Sequence, residues 1–373
     1  MFAKEGLEGV VAARTAISLI KGEQGSLGYR GYSIGDLARN SSFEETAYLL
    51  WYGELPKSEE LATFAATLRS SRNLSTRLAD TVARAPRSAE PIDVLRTAVS
   101  MMASEDPDLP DNSEAANRRK GTRIAAAMPT IVAAYRRLGA GLETVEPDRS
   151  LSHAANFLLM LRGKRPEKIE AEALDLALVL QADHGLNAST FAARVAAGTL
   201  ADLHAAVTAA IATLKGPLHG GAAREVIETM RAVASSSKAD LFVAQQLTDR
   251  RKVAGFGHRV YKHSDPRTAP LREMLWRLAK HKGLETWAAL ADGISDAMRR
   301  HSRIEPNVDF YTAPVYELLG IDPSIFSSVF ACARIAGWVA HVIEQHSDNR
   351  LIRPSEEYLG PLARRYVPIG QRG

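Results

Sequence analysis

Along most of the chain, apolar residues recur at the spacing typical of helices. Within residues 43–52 they return at intervals of three and four positions, behind a Ser-x-x-Glu capping box formed by Ser42 and Glu45. Gly53 then marks the end of this segment. The pattern predicts an amphipathic helix with defined ends.

Three further segments are apolar around most of their helical circumference, which predicts helices buried in a large core: they are residues 171–183, 199–214 and 324–345. Residues 13–32 differ, with short extended runs on either side of "KGEQG" that predict a β-hairpin. The predicted fold class is therefore mainly α with a small N-terminal β element.

The length of 373 residues predicts a large domain with a smaller one attached. Hydrophobic residues make up 46% of the chain and charged residues 24%, as in ordinary soluble proteins. Charge-free stretches such as 203–214 are shorter than the roughly 20 residues that span a bilayer. Residues 1–18 lack the apolar run of a signal peptide, and Cys332, the only cysteine, excludes an internal disulfide. We expect a cytoplasmic protein that does not bind a membrane.

The net charge is +4 and the isoelectric point is about 9.1, which raises the question of nucleic-acid binding. The cations are dispersed in pairs and short clusters, and no basic motif interleaved with aromatic residues accompanies them. We therefore expect no nucleic-acid partner. A mildly positive field instead favours small anionic substrates.

The usual cofactor motifs are incomplete. "GFGHRV" has Val260 in place of the third glycine of a dinucleotide-binding loop, and "GPLHGG" lacks the Lys-Ser/Thr of a P-loop. The pairs His258/His263 and His341/His346 are five residues apart, a spacing that does not place both rings on one helical face. We expect neither a bound metal nor a cofactor.

Four polar residues stand in turn-forming surroundings between the apolar helices. His184 lies in "QADHGLNAST", His219 in "LKGPLHGGA", His258 in "GFGHRVY" and Asp309 in "EPNVDFYTAPVY". Each histidine alone is more often a structural residue, and an aspartate after Pro-Asn is most often a helix cap. Their combination in loops on a helical scaffold indicates a functional site.

These segments carry a family resemblance. In their order along the chain they resemble citrate synthases, and more narrowly the short bacterial forms that include 2-methylcitrate synthases. The resemblance runs from about Gly6 to Gly360 and rests on the motifs "GLEGVVAARTAIS", "YRGYSIGDLA", "FEETAYLLWYGELP", "RTAVS", "NASTFAARV", "LKGPLHGGA", "GFGHRVYKHSDPR", "NVDFY" and "DNRLIRP".

The resemblance implies an acyltransferase that condenses acetyl-CoA with oxaloacetate and then hydrolyses the thioester to citrate and free CoA. Removing a proton from the methyl group needs a carboxylate base and a donor for the enolate oxygen. Asp309 matches the family's base and His219 its donor. His258 matches the residue that polarises the ketone of oxaloacetate.

The two carboxylates of oxaloacetate require permanently charged donors, for which guanidinium groups are suited. Arg334 interrupts an otherwise apolar helix, where an unpaired charge would be costly, so it needs an anion. A bound dicarboxylate is one candidate and a structural salt bridge is the alternative. The residues that match the family's oxaloacetate contacts are His184, Arg267, Arg334 and Arg353.

In the family the residue that matches Arg353 reaches the neighbouring subunit's site, which implies a homodimer. The fold implied is helical, with a large domain (1–219 and 315–373), a small domain (220–314) and an active-site cleft between them. "DRRKVAG" resembles the segment that receives CoA, and which of its residues makes contact stays open; the candidates are Arg250, Arg251, Lys252 and Gly255.

Some residues depart from the family pattern. Ala223 and Arg224 follow "HGG" where an asparagine and an acidic or amide residue are common, and Glu90-Pro91-Ile92 replaces "HPM". These changes could alter the preference for the acyl group. A pocket distinguishes two substrates that differ by one methylene by only about 1–3 kcal/mol of binding free energy. A 2-methylcitrate synthase that uses propionyl-CoA, or a bifunctional enzyme, therefore stays an alternative function, and a non-catalytic paralogue that binds CoA or oxaloacetate is a remote alternative.

Overall fold

A computed structural model describes residues 5–7 and 9–372. Within them lie a three-stranded sheet and sixteen α-helices. The strands are β1 (Ser18–Lys21), β2 (Ser26–Tyr29) and β3 (Tyr32–Ser33). The helices are α1 (Ile34–Asn40), α2 (Phe43–Tyr52), α3 (Ser58–Ser70), α4 (Thr76–Arg84), α5 (Pro91–Met102), α6 (Glu114–Gly139), α7 (His153–Arg162), α8 (Lys168–Gln181), α9 (Ala188–Gly198), α10 (Leu203–Leu214), α11 (Ala222–Val233), α12 (Ala239–Thr248), α13 (Thr268–Lys282), α14 (Glu285–His301), α15 (Val308–Leu318) and α16 (Phe326–Ser347).

The predicted N-terminal hairpin is confirmed and gains a third strand. β1 and β2 are antiparallel with Ser18 opposite Tyr29, and the turn between them ends at Gly25 with a φ of 56°. Tyr29 is fully buried, and its hydroxyl donates to the carbonyl oxygen of Asp183 at 2.8 Å. The sheet is thereby attached to the C-terminal end of α8.

The predicted helix boundaries at α2 are also confirmed. The Ser42 hydroxyl accepts a hydrogen bond from the backbone N–H of Glu45, and Gly53 follows the helix in a left-handed conformation with a φ of 94°. Asn187 caps α9 in the same way, by accepting from the backbone N–H of Thr190. Side chains that satisfy the first free N–H groups of a helix fix where it begins.

α16 is the central helix of the large core. Its Gly337 lies so close to the end of α8 that an added Cβ would be 2.4 Å from Asp183 Oδ1, and its N–H donates to the Ala182 carbonyl at 2.9 Å. The segment Pro323–Ser347 is long and apolar enough to cross a membrane, yet 89% of its apolar window is buried inside the protein. Buried core helices of folded proteins have the same length and apolar composition.

In the part of the chain that follows His219, α11, α13 and α14 pack against α15, and α12 packs against α14. Ion pairs join this part to the first half of the chain at α13 and α8, where Lys282 Nζ lies 2.5 Å from Glu170 and Arg277 lies 3.3 Å from Glu172. The division into a large domain (1–219 and 315–373) and a small one (220–314) stays a prediction.

Candidate active site

A cleft with a volume of about 730 Å³ collects most of the predicted site residues. Its walls come from the N-terminal segment, β1, the loop between α8 and α9, the segment before α11, the loop 258–260, and the helices α15 and α16. Six side chains singled out from the sequence line it: His184, His219, His258, Arg267, Asp309 and Arg334.

The loop that carries His258 is joined to the segment that carries Asp309. The Gly257 N–H donates to the Glu305 carbonyl at 3.0 Å, and the Asn307 side chain donates to the Gly257 carbonyl at 2.9 Å. Gly255 has a φ of 82°, and a Cβ there would lie 2.9 Å from the Cβ of Phe310. A side chain at position 255 would therefore prevent the loop from packing against α15. The hydrogen bonds hold the two segments, which are about 50 residues apart in the sequence, together as one wall of the cleft.

Asp309 lies in the first turn of α15, where Asn307 caps the helix by accepting from the Asp309 N–H at 3.0 Å. Enclosure in the cleft raises the pKa of Asp309 to about 6, against the lowering influence of Arg267 and Arg334. A carboxyl group with that pKa is mostly ionised at neutral pH and is still basic enough to accept a proton.

His219 is held by a polar network on α9 and α16. Its Nε2 lies 2.9 Å from the Ser189 hydroxyl, which in turn accepts from Trp338 Nε1 at 3.2 Å. Asn187 Oδ1 lies 2.8 Å from the same hydroxyl. Burial, assisted by the charge of Arg334, lowers the pKa of His219 to about 4. The imidazole is therefore neutral at neutral pH.

His258 presents a defined tautomer. Its Nδ1 accepts the backbone N–H groups of Val260 at 3.0 Å and Tyr261 at 3.2 Å, so the ring proton of the neutral imidazole lies on Nε2. Burial, together with the charge of Arg267, lowers its pKa to about 4. The His184 ring packs edge-on against it, with ring centroids 5.1 Å apart.

Arg334 is buried on α16 without a carboxylate partner among residues 5–7 and 9–372. Its Nε donates to the Gln181 carbonyl at 2.7 Å, and its guanidinium group lies 4.7 Å from the centre of the Phe330 ring. Burial lowers its pKa to about 10, which still leaves it charged at neutral pH. The structural salt bridge considered from the sequence is absent within this described part, although Asp183 and Asp309 lie near enough to favour the charged form, and the guanidinium group lines the cleft.

Arg267 differs, because it carries its own counterion. Its Nε and Nη2 donate to Asp265 at 2.8 and 2.6 Å, and both residues are nearly fully buried. Asp265 also accepts the backbone N–H of Val308 at 3.1 Å, next to Asp309. Burial alone would raise the pKa of Asp265, but Arg267 holds it below its usual range. Asp265 thus ties Arg267 to the start of α15.

The remaining predicted residues do not line the cleft. Arg353 is exposed in the C-terminal segment, 3.6 Å from Glu356. Arg250, Arg251 and Lys252 are exposed at the end of α12, where Arg251 pairs with Asp249. Gly255 is buried against α15. The roles of these residues stay predictions.

Sequence reasoning missed several residues that hold the site together. Trp338 had no signal beyond its place in an apolar helix, whereas Ser189 stood in the quoted motif "NASTFAARV" and Asp265 in the quoted motif two residues before Arg267. Residues 6–12 were quoted for the resemblance alone, yet Gly6, Leu7, Gly9, Val10 and Ala12 line the cleft. The departures Glu90, Ala223 and Arg224 lie outside the cleft lining.

No group of three or more His, Cys, Asp or Glu side chains placed to hold a metal ion occurs in the described part of the chain. The ionisable side chains that line the cleft are one carboxylate, three imidazoles and guanidinium groups. This set suits proton transfer beside a carbonyl group in an anionic substrate.

Comparison with known proteins decides the family. The sequence model of the citrate synthase C-terminal domain matches residues 6–355. The chain belongs to the citrate synthase family. It is 43% identical to citrate synthase 2 of Bacillus subtilis over the full length of both chains. It is also 42% identical to 2-methylcitrate synthase 2 of Corynebacterium glutamicum, covering 99% of this chain and 98% of that one.

Solved structures show the same helical fold. The citrate synthase of Pyrobaculum aerophilum superposes with a TM-score of 0.93 at 38% identity, covering 98% of this chain and 95% of that one. A citrate synthase of Thermoplasma acidophilum, solved with carboxymethyl coenzyme A and oxaloacetate, gives a TM-score of 0.92 at 32% identity and 98% coverage of both chains. The predicted mainly α, citrate-synthase-like fold and the acyltransferase class are thereby confirmed.

Proposed function

We propose that this chain is a citrate synthase that condenses acetyl-CoA with oxaloacetate to give citrate and free CoA. The observation that carries the proposal is the convergence of Asp309, His219 and His258 on one cleft beside the unpaired cation of Arg334. The Thermoplasma relative with a CoA analogue and oxaloacetate supports binding of both substrates.

The first step is the removal of a proton from the acetyl methyl group by Asp309. The negative charge moves to the thioester oxygen, which needs a neutral hydrogen-bond donor. When the Ser189 hydroxyl donates to His219 Nε2, the ring proton lies on Nδ1 and is available to that oxygen. The Ser189 hydroxyl is also placed to donate to Asn187 Oδ1, which accepts from the Thr190 N–H as well, so the donor role of His219 requires the Ser189 proton to turn to Nε2.

The second step forms the carbon–carbon bond. The enolate carbon attacks the ketone carbon of oxaloacetate, and the ketone oxygen takes the proton from His258 Nε2. Arg334 offers a charge without a resident counterion to one carboxylate. Arg267 is pre-oriented by Asp265 and keeps its Nη1 for the other. Neutral His184 lies between these groups.

The third step is hydrolysis. Water attacks the thioester carbonyl, the carbon–sulfur bond breaks, and CoA leaves as a thiol together with a new carboxylate on citrate. One proton of the water goes to the thiol and the other to solvent, and the proton held by Asp309 is returned to His258, which restores both side chains. Acetyl-CoA enters as a substrate, and the proton transfers of the first two steps use side chains of this protein. We infer that no further cofactor takes part.

We infer a homodimer in which Arg353 completes the partner's site. Arg353 has no contact with the cleft of its own chain, which supports a role elsewhere. The C-terminal segment around it also exposes large apolar side chains, as surfaces buried in an interface do: these are Leu351, Tyr358, Leu359, Leu362, Tyr366 and Ile369. The two-domain division, the cytoplasmic location and the CoA contacts stay predictions.

The test is release of free thiol from acetyl-CoA and from propionyl-CoA, each with and without oxaloacetate. We expect release that requires oxaloacetate and is faster with acetyl-CoA. A strong preference for propionyl-CoA would establish the 2-methylcitrate synthase alternative, which the Corynebacterium relative keeps open. No release from either thioester would contradict the enzymatic proposal.

A further inference from the structure

Tyr261 occupies a position in the site to which the reaction assigns no role. It lies three residues after His258 and is only 4% exposed. Its hydroxyl oxygen lies 3.0 Å from Nε2 of His184. Its ring packs against His258 with centroids 4.5 Å apart, and against His184 with centroids 5.5 Å apart. Tyr261 therefore contacts both histidines expected to meet oxaloacetate while standing behind the cleft wall.

The direction of this hydrogen bond follows from the available partners. Within residues 5–7 and 9–372, the phenol has no acceptor other than His184. Burial raises the pKa of Tyr261, so its proton is retained at working pH. Burial, with the charges of Arg267 and Arg334, holds the pKa of His184 well below its usual value. A protonated phenol and a neutral imidazole fit best when the hydroxyl donates to Nε2.

We propose that Tyr261 is a positioning residue for oxaloacetate: its hydroxyl fixes the orientation and the Nδ1–H tautomer of His184, which in turn supports the His258 ring. The inference rests on the proposed function. Tyr261 does not line the cleft, so it acts through the two histidines and not on the substrate. Within the described residues Asp309 and His219 have no contact with the Tyr261 hydroxyl, and the bond from the Tyr261 backbone N–H to His258 Nδ1 does not involve that hydroxyl, so the proton-transfer groups keep their partners without it.

The test is Tyr261→Phe, which keeps the ring and removes the hydroxyl. Nε2 of His184 then becomes a buried acceptor without a partner, so the ring is free to turn or change tautomer. We expect the KM for oxaloacetate to rise about tenfold, while kcat at saturating oxaloacetate changes less than threefold. In a His184→Asn background the same substitution should have no further effect on that KM.

Tyr135→Phe is the matched control. Tyr135 is also 4% exposed, and its hydroxyl donates to the carbonyl groups of Pro86 and Ala89 at 2.6 and 2.8 Å, outside the cleft lining. We expect unchanged KM and kcat. An effect on oxaloacetate KM equal to that of Tyr261→Phe would show a general packing defect and overturn the inference.

Three other results would overturn it: an oxaloacetate KM in Tyr261→Phe within twofold of the unmodified enzyme, a fall in kcat alone, or a full effect in the His184→Asn background. If Tyr261→Phe does not fold, nitrogen-15 NMR of the unmodified enzyme decides, since a proton on Nε2 of His184 contradicts the assignment. Failure of the proposed function looks different, because the unmodified enzyme would then release no CoA.

Discussion

Asp309→Asn is the substitution that tests the proposed chemistry most directly. It keeps the size and the helix position of the side chain and removes its ability to accept a proton. Because the pKa of Asp309 is about 6, about 99% of the unmodified enzyme carries the base at pH 8. The variant has none. We expect kcat to fall by about 10³-fold, which corresponds to about 4 kcal/mol of activation free energy.

Oxaloacetate binding should survive this substitution. Within the described residues, Asp309 forms no ion pair with Arg267 or Arg334, so its removal leaves no carboxylate-binding cation without a partner. Removing its negative charge also reduces repulsion of a dicarboxylate. We expect the dissociation constant for oxaloacetate, measured by isothermal titration calorimetry, to stay within about threefold.

The assay follows thiol release at pH 8 with both substrates saturating. Glu317→Gln is the matched control, because Glu317 lies on the same helix and pairs with Arg231 outside the cleft. We expect its kcat to stay within twofold of the unmodified enzyme. Turnover of Asp309→Asn within tenfold of the unmodified enzyme would refute the assignment of Asp309 as the base.

Three further predictions follow from the charges of the described residues. The rate should fall below about pH 6 with the slope of one proton, because protonation of Asp309 removes the base while His219 and His258, with pKa values of about 4, are still neutral; a limb with a midpoint near pH 4 would contradict this. Arg334→Met should raise the oxaloacetate KM about 100-fold in steady-state kinetics, because a charged hydrogen-bonding partner is lost, and an unchanged KM would exclude Arg334 from the site. Asp175→Asn should raise the melting temperature by about 3 °C at pH 8, with a smaller gain at pH 5. Burial, with the neighbouring charge of Glu44, raises the pKa of Asp175 to about 7, so its contribution to stability is lost as pH rises through 7; an equal gain at both pH values would contradict the cause.

The elements of the fold were predictable where local chemistry decides them. Ser42 and Gly53 delimit α2 as the capping pattern indicates, and the run "KGEQG" forms the turn of the hairpin. The apolar segment 324–345 is the core helix α16. In each case the signal lies within a few residues along the chain, because caps and turns are made by local hydrogen bonds.

The contacts that tune the site were not predictable in the same way. The partner of His219 is Ser189, which is 30 residues away, and Trp338 reaches the same hydroxyl from the last helix. The acidic segment 104–115 encloses the Asp106 side chain, which is 3% exposed and pairs with Arg123 at 2.6 Å. Such contacts depend on how distant elements pack against each other, and this packing cannot be read from the spacing of residues along a single sequence.

Of the arginines that line the cleft, Arg267 and Arg334 differ in how they can bind a dicarboxylate. Arg267 is neutralised by Asp265 and tied through it to the start of α15, so its position is fixed before any ligand arrives. Within the described residues Arg334 has no carboxylate in salt-bridge contact, although Asp183 and Asp309 lie near enough to favour its charged form. Burying a cation without a directly bonded counterion costs stability, and an incoming carboxylate reduces that cost. Oxaloacetate should therefore stabilise the folded protein mainly through Arg334, while Arg267 with its bound Asp265 sets where the ketone meets His258.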